Sequence, residues 1–221
     1  AGATHVAIMR GKRRGATCAR PDARHQPAAL RARDSATYTA RPHRTSLENL
    51  MLLGLSLFYV GAVLILNGLW MLGRIGDREI TIINLCTGGL TLLVCLRLAL
   101  GADADAASIR AAAFSLLFSF TYLWVAWNRL TGADGRGLGW FSLFVAITAL
   151  PIAADTLRAA DSTWDWWLGL SWAAWAVLWL MFFLLLALHR PIARATAWMA
   201  IVQGMGTAWL PGYLLLTGAL Y

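Results

Sequence analysis

The sequence predicts an all-α polytopic membrane protein with six transmembrane helices, on two observations. Of its 221 residues, 59% are hydrophobic and only 14% are charged, and the mean hydropathy is +0.59. The surface of a soluble domain of this size would need roughly 25–35% charged positions. Six apolar stretches of about 20 residues, the length of helix that crosses a hydrocarbon core, follow Met51. This balance between hydrophobic and charged residues excludes soluble enzyme folds.

Residues 1–50 are predicted to form a disordered basic N-terminal extension. They contain ten Lys and Arg against three Asp and Glu, whereas residues 51–221 contain nine against eight. Large aliphatic residues are rare in the extension and no hydrophobic period is present. Its charges are typical of a solvated run rather than a nucleic-acid partner site. Two alternatives remain open: a native basic arm, or sequence upstream of a true start at Met51.

The six spans leave only short connecting loops. Their predicted limits are 51–73, 80–100, 111–128, 138–157, 166–188 and 198–217. The odd-numbered loops carry six arginines, namely Arg74, Arg78, Arg129, Arg136, Arg190 and Arg194, whereas the even-numbered loops carry Arg110 and Arg158. The positive-inside rule then puts the odd loops in the cytoplasm and both ends of the six-helix body outside. A native arm would have to cross the membrane with its charge, which favours Met51 as the start. Loop lengths pair the helices into three hairpins.

The middle of every predicted span is free of Asp, Glu, Lys, Arg and His, the side chains that form the ion pathways and proton relays of membrane proteins. Arg97 and Asp155 lie near the outer ends of their spans, where ion pairs or interfacial placement are expected. A passive route for a small neutral solute is therefore favoured. An ion-coupled secondary transporter and a non-conducting structural or sensory subunit remain alternatives.

Motifs for catalysis and metal binding are also missing. The sequence contains no HExxH, GxSxG or P-loop pattern, and Cys18, Cys86 and Cys95 lack metal-ligand spacing. We therefore predict no enzymatic activity, no catalytic residue, no metal and no cofactor.

Tryptophan is unusually frequent, with 12 in the chain. Trp172, Trp175 and Trp179 share one face of the fifth span, and Phe120, Trp124 and Trp127 share one face of the third. These faces are typical either of packed or lipid-facing bulk, or of a pore wall. Since an indole N–H in hydrocarbon needs a partner, a slot of aromatic rings with sparse amides would suit a small, planar, uncharged, polar solute.

Small residues and two amides mark further positions. Gly54, Gly61 and Gly68 on span one, and Gly204, Ala208 and Gly212 on span six, form stripes that allow close helix packing. Pro151 and Pro211 are expected to kink spans four and six. Asn67 and Gln203 cannot satisfy their amides within their own helices, so each either bridges helices or faces water.

Five segments resemble the AmiS/UreI family of bacterial urea channels and short-chain amide transporters. They are MLLGLSLFYVGAVLILNGLWMLG from Met51, FSFTYLWVAWN from Phe118, GWFSLFVAITA from Gly139, WAAWAVLWL from Trp172 and TAWLPG from Thr207. The resemblance covers nearly all of residues 51–221 and none of 1–50. It implies three helical hairpins around a pore in each protomer, a homo-hexameric ring, and a multi-pass position in the bacterial inner membrane.

The resemblance also implies the pore-lining residues. By motif these are Leu57, Val60, Leu64, Asn67, Phe120, Trp124, Trp175, Leu178 and Trp179. The third-helix motif and Gln203, which stands where the gastric urea channels have Glu, place the chain closer to the amide-transporter branch. The outer loops lack the histidines of the acid-gated members, so we expect passive permeation of urea or short aliphatic amides without acid activation.

Overall fold

The computed structural model describes residues 28–220, with side chains from Leu47 to Leu220. The chain divides into two compact units, and the boundary between them falls after Pro42. Residues 43–221 form the larger unit, which contains all the helices long and apolar enough to cross a membrane among the described residues. The account below concerns this unit.

Seven α-helices and one π-helix make up the described part of the chain. They are α1 (Ala28–Met71), α2 (Asp77–Leu100), α3 (Ala106–Thr131), α4 (Arg136–Arg158), α5 (Thr163–Leu186), α6 (Ala193–Gln203), the π-helix (Gly204–Trp209) and α7 (Leu210–Leu216). The last three run on continuously, so the described residues contain six membrane-length spans: Leu47–Met71, α2, α3, α4, α5 and Ala193–Leu216. The prediction of an all-α protein with six spans is confirmed.

The first helix extends further than the sequence pattern indicates. Its backbone is helical from Ala28, upstream of the span predicted to begin at residue 51. The prediction that residues 1–50 form a disordered extension, made from their composition and the missing hydrophobic period, stays a prediction. For residues 1–27 that prediction lies outside the described residues.

The six spans form a closed ring in which each helix contacts its neighbours along the chain. The α2 helix lies along α3, and α4 lies along α5, over most of their lengths. Contacts between α3 and α4 are fewer, so these two helices separate within the ring. The ring closes where α1 packs against the α6, π-helix and α7 span, and where Asn67 of α1 bonds to Asn84 of α2.

Glycines bring α1 and the last span together, as the small-residue stripes predict. A Cβ on Gly212 would lie 2.5 Å from the backbone nitrogen of Phe58, and one on Gly204 would lie 2.9 Å from Cβ of Leu64. A Cβ on Gly61 would overlap the backbone of Trp209. The two helices therefore meet backbone to backbone, as helix pairs in membranes do when small residues face each other.

A π-helix interrupts the last span just before Pro211. Proline has no N–H, so the carbonyl four residues earlier has no intrahelical donor. Here the backbone widens instead, and the Leu210 N–H donates to the carbonyl of Met205, five residues back. Single π-turns of this kind occur frequently at functional sites. This π-helix faces α5, where two tryptophans donate hydrogen bonds to it.

The predicted interfacial ion pairs are present at both expected positions. Arg97 lies 2.7 Å from Asp103 and 3.0 Å from Glu48, and Asp155 lies 3.0 Å from Arg158. Glu48 precedes Met51, so the ordered first span uses residues upstream of that methionine. All three ion pairs lie at the ends of the membrane spans rather than at mid-depth.

Candidate functional site

A cavity of about 300 Å³ lies inside the ring of helices, in the half next to the odd-numbered loops. Helices α1, α3, α4 and α5 form its wall. It extends from Phe118 and Trp175 near the middle of the spans to Asp134 and His189 in the third and fifth loops. The cavity thus forms where α3 and α4 separate.

Aromatic rings close the cavity at mid-depth. Phe118 of α3 meets Trp172, Trp175 and Trp179 of α5 edge to face, with ring centroids 5.9, 4.8 and 4.7 Å away. Edge-to-face contacts are the favoured geometry for aromatic pairs and add to the stabilisation from burial. Leu57 and Val60 of α1 are buried in the same cluster. We call this cluster the aromatic seal, and it adjoins the cavity at mid-depth. Its members are Phe118, Trp172, Trp175, Trp179, Leu57 and Val60.

The structure brings together seven of the nine residues that the resemblance implies. Five of them line the cavity: Leu64, Asn67, Trp175, Leu178 and Trp179. Leu57 and Val60 do not reach the cavity and instead pack into the aromatic seal. All seven are buried.

The structure puts the other two, Phe120 and Trp124, outside the cavity lining. Their side chains are 45% and 37% exposed, and neither lines the cavity. The spacing of Phe120, Trp124 and Trp127 correctly identifies one face of α3, but this is the outward face. A membrane helix can be aromatic both toward lipid and toward a lumen, so spacing alone does not identify the inner side.

The inner face of α3 carries Phe118, Thr121, Tyr122, Val125 and Asn128, all of which line the cavity. Sequence reasoning missed these residues as a set. The signal was present, because positions 118, 121, 125 and 128 recur at i, i+3, i+7 and i+10, as one helical face does. Three of these five side chains are polar, whereas the outward stripe is purely aromatic.

Both tryptophans of the cavity wall have their indole N–H groups occupied. Trp175 Nε1 donates to Oγ1 of Thr207 in the π-helix at 2.8 Å, and that hydroxyl donates to the carbonyl of Gln203 at 2.7 Å. Trp179 Nε1 donates to Oγ1 of Thr121 at 3.3 Å. These bonds satisfy the buried donors, so the two indoles offer ring surface rather than donors to the cavity.

Asn67 both bridges helices and faces the cavity. Its Nδ2 donates to Oδ1 of Asn84 at 3.1 Å, and Nδ2 of Asn84 donates back to Oδ1 of Asn67 at 2.6 Å. Asn84 also donates to the carbonyl of Ile80. The two alternatives for Asn67, a helix bridge or a pore amide, are therefore both realised.

Gln203 bridges helices and does not line the cavity. Its Nε2 donates to the carbonyl of Ala174 in α5 at 2.9 Å. Its Oε1 is buried with no hydrogen-bond partner among the described residues. Gln203 therefore joins α5 to the last span just before the π-helix begins.

Charged groups lie only at the loop end of the cavity wall. Arg129 stacks over the ring of Trp70 at 5.1 Å and lies 3.7 Å from Asp77, while Trp70 Nε1 donates to Asp77 at 2.7 Å. Hydrogen bonds from the backbone and guanidinium of Arg136 hold the pKa of Asp134 below its usual value, with a smaller contribution from His189. The rest of the lining is uncharged.

A closed ring of six membrane-length helices around an aromatic-walled cavity, with charged groups only at its loop end, defines a polytopic membrane protein of the channel and transporter class. Residues 52–219 match the model of the AmiS/UreI family of transporters. The chain therefore belongs to the AmiS/UreI family.

Relatives of two kinds are similar to this chain. A Mycolicibacterium smegmatis protein described as an amidate substrates transporter is 48% identical over 167 residues, covering 75% of this chain and 76% of the relative. The acid-activated urea channel of Helicobacter pylori is 37% identical over 190 residues, covering 74% of this chain and 97% of the relative. The crystal structure of the urea channel from Helicobacter pylori matches with a TM-score of 0.67 at 37% identity, over 76% of this chain and 99% of that one.

Proposed function

We propose that this protein is a passive channel for urea or short-chain aliphatic amides, with a role in transport rather than catalysis. The observation that carries the proposal is the cavity itself. Indole and phenyl rings form its walls, a buried amide faces it, and its acidic and basic lining residues lie only at the loop end. A planar, neutral, polar solute can contact rings with its faces and an amide with its edge, without desolvating a charge.

Relatives support this class of solute. The Mycolicibacterium smegmatis protein is described as a transporter of amidate substrates, and the Helicobacter pylori protein as a urea channel. The higher identity to the former favours short amides, and both kinds of solute share a carbonyl beside an NH₂ group. We include both in the proposal.

The proposal places the protein in the bacterial inner membrane. The six arginines of the odd loops favour a cytoplasmic position for those loops, so the cavity would open toward the cytoplasm. A homo-hexameric ring is proposed from the family resemblance. Exposed aromatic side chains on α3 and α4, such as Trp127, Trp140 and Phe144, offer surface for lipid or for neighbouring protomers.

One observation favours a coupled transporter as the second candidate. The cavity reaches one side of the bundle and ends at the aromatic seal, which is the arrangement expected of one state of an alternating-access cycle. Against this stands the lack of an Asp, Glu, Lys, Arg or His side chain at mid-depth among the described residues, because coupling to protons ordinarily uses such a group.

Swelling of proteoliposomes tests the proposal. Vesicles that contain the purified protein are mixed with isosmotic urea, acetamide, propionamide or glycerol, and light scattering follows their swelling. We expect swelling in urea or acetamide to be at least tenfold faster than in protein-free vesicles, with a smaller gain for glycerol. Equal rates in vesicles with and without protein would leave the non-conducting subunit as the remaining interpretation.

A further inference from the structure

Asn128 is a buried amide that the fold leaves without a partner. Its side chain is 4% exposed, lines the cavity, and forms no hydrogen bond with any described residue. The buried side-chain atoms without a partner among the described residues are Thr87 Oγ1 and Gln203 Oε1, so the Asn128 amide atoms keep contact with the open space of the cavity, where water or a solute can satisfy them. Neither the aromatic walls nor the family motifs quoted above assign a role to this position.

The surroundings of Asn128 leave its amide open to the cavity. Gly135 begins α4 beside it with a φ of +83°, and a Cβ on Gly135 would lie 3.8 Å from Nδ2 of Asn128. A larger side chain there would extend toward the amide. The neighbouring cation, Arg129, is engaged with Asp77 and the ring of Trp70. The free amide therefore faces the space between α3 and α4.

The protein itself shows the geometry that would satisfy such an amide. Asn67 and Asn84 form a reciprocal pair, in which each NH₂ donates to the other carbonyl, at 3.1 and 2.6 Å. A primary carboxamide or urea carries the same carbonyl and the same N–H on one edge. Either solute could therefore form two hydrogen bonds with Asn128 by copying the pair already present in the fold.

We infer that Asn128 forms an inner binding subsite at which a primary carboxamide or urea pairs edge to edge with the side-chain amide. The subsite is separate from the aromatic seal, since Asn128 lies six residues, or about 9 Å of helix, beyond Tyr122 toward the loops. Because the indoles of Trp175 and Trp179 already donate to Thr207 and Thr121, the aromatic stretch offers ring contact and Asn128 offers polar recognition. This inference rests on the proposed function.

Solutes that differ in the direction of their N–H group distinguish edge-to-edge hydrogen bonding with Asn128 from a general effect of pore shape on permeability. Acetamide and urea have an N–H on the same side as the carbonyl, whereas N-methylacetamide holds its N–H on the opposite side, because the cis form of a secondary amide costs about 2.5 kcal/mol. The variants are Asn128→Leu, close in size, and Asn128→Ser, which keeps a small polar group and carries the test if the leucine variant fails to fold. Leu130→Ala is the matched control, because Leu130 lies two residues from Asn128 on α3, is 67% exposed and does not line the cavity.

Permeability of full-length protein in proteoliposomes is measured for the three solutes. We expect both Asn128 variants to lower acetamide and urea permeability at least fivefold and N-methylacetamide permeability less than twofold, while Leu130→Ala stays within twofold for all three. Unchanged acetamide and urea permeability in a folded Asn128 variant would overturn the inference, as would an equal fall for all three solutes. If the unmodified protein conducts neither acetamide nor urea, the proposed function itself fails.

Discussion

Asn67 and Asn84 exchange two hydrogen bonds between α1 and α2, and Asn84 is completely buried. Replacing either residue by leucine leaves the other with an unpaired amide, whereas replacing both removes two amides together. We expect each single variant to lower the thermal stability of the detergent-solubilised protein, and the double variant to lower it by less than the sum. A double-mutant cycle on Tm measures this coupling, and additive effects would show that the pair contributes no interaction energy.

Phe118 and Phe120 differ by two positions on α3 and face opposite sides. Phe118→Ala opens the aromatic seal, so we expect at least a fivefold change in urea or acetamide permeability, or in the preference between them. Phe120→Ala is the matched control on the exposed face, and its permeability should stay within twofold. Proteoliposome swelling with equal amounts of inserted protein measures both. The reverse order of effects would restore the outward stripe as the pore wall.

Alanine substitutions at Gly61 and Gly89 test whether close helix packing within the ring stabilises the protein. A Cβ on Gly61 would overlap the backbone of Trp209, whereas a Cβ on Gly89 has nothing within 4 Å. Alanine favours a helix over glycine by about 0.8–1.0 kcal/mol, so Gly89→Ala should leave Tm unchanged or raise it. Gly61→Ala should lower Tm by several degrees, because the backbones of α1 and the last span must separate. Equal Tm values for the two variants would mean that this close approach is unimportant.

External acid is not expected to open the pathway. Segments 101–110 and 158–165, which we propose lie outside, contain no histidine. The Arg97 guanidinium beside Asp103 holds the pKa of that carboxyl below its usual value, and the Ser108 backbone N–H does the same for the pKa of Asp105. These lowered pKa values stabilise the folded protein at pH values above the ordinary aspartate pKa of about 3.9. That stabilisation is lost only as the pH falls below this value.

Flux between external pH 5 and pH 7.5 should therefore vary less than about twofold, although an unperturbed histidine would change charge in that window. Stopped-flow permeability at several external pH values, with the internal pH held constant, provides the measurement. A tenfold rise on acidification would show that a group outside these two carboxylates controls opening.

Much of the fold could be predicted because the bilayer sets the length and polarity of each span. The structure puts span two at Asp77–Leu100 and span four at Arg136–Arg158, each within three residues of the predicted limits at both ends. The glycine stripes likewise predict where helices meet, since only small residues allow backbone contact.

The inner side of α3 could not be predicted in the same way. Phe120 and Trp124 contact the outside while Phe118 and Tyr122 contact the cavity, and all four are aromatic. In water an apolar face indicates the core, but in lipid both sides of a helix can be apolar. The π-helix before Pro211 was also missed, because proline predicts a break in hydrogen bonding but not how the backbone compensates.

The central claim is that a neutral solute passes through the cavity and the aromatic seal down its own gradient. Uptake of labelled acetamide or urea into proteoliposomes tests it most directly, with proton and sodium gradients first imposed and then collapsed by ionophores. The account predicts the same initial rate in both conditions, equilibration to equal concentrations inside and out, and a changed rate in Phe118→Ala but not in Phe120→Ala. Accumulation above the external concentration, or uptake that stops when the gradients collapse, would contradict it.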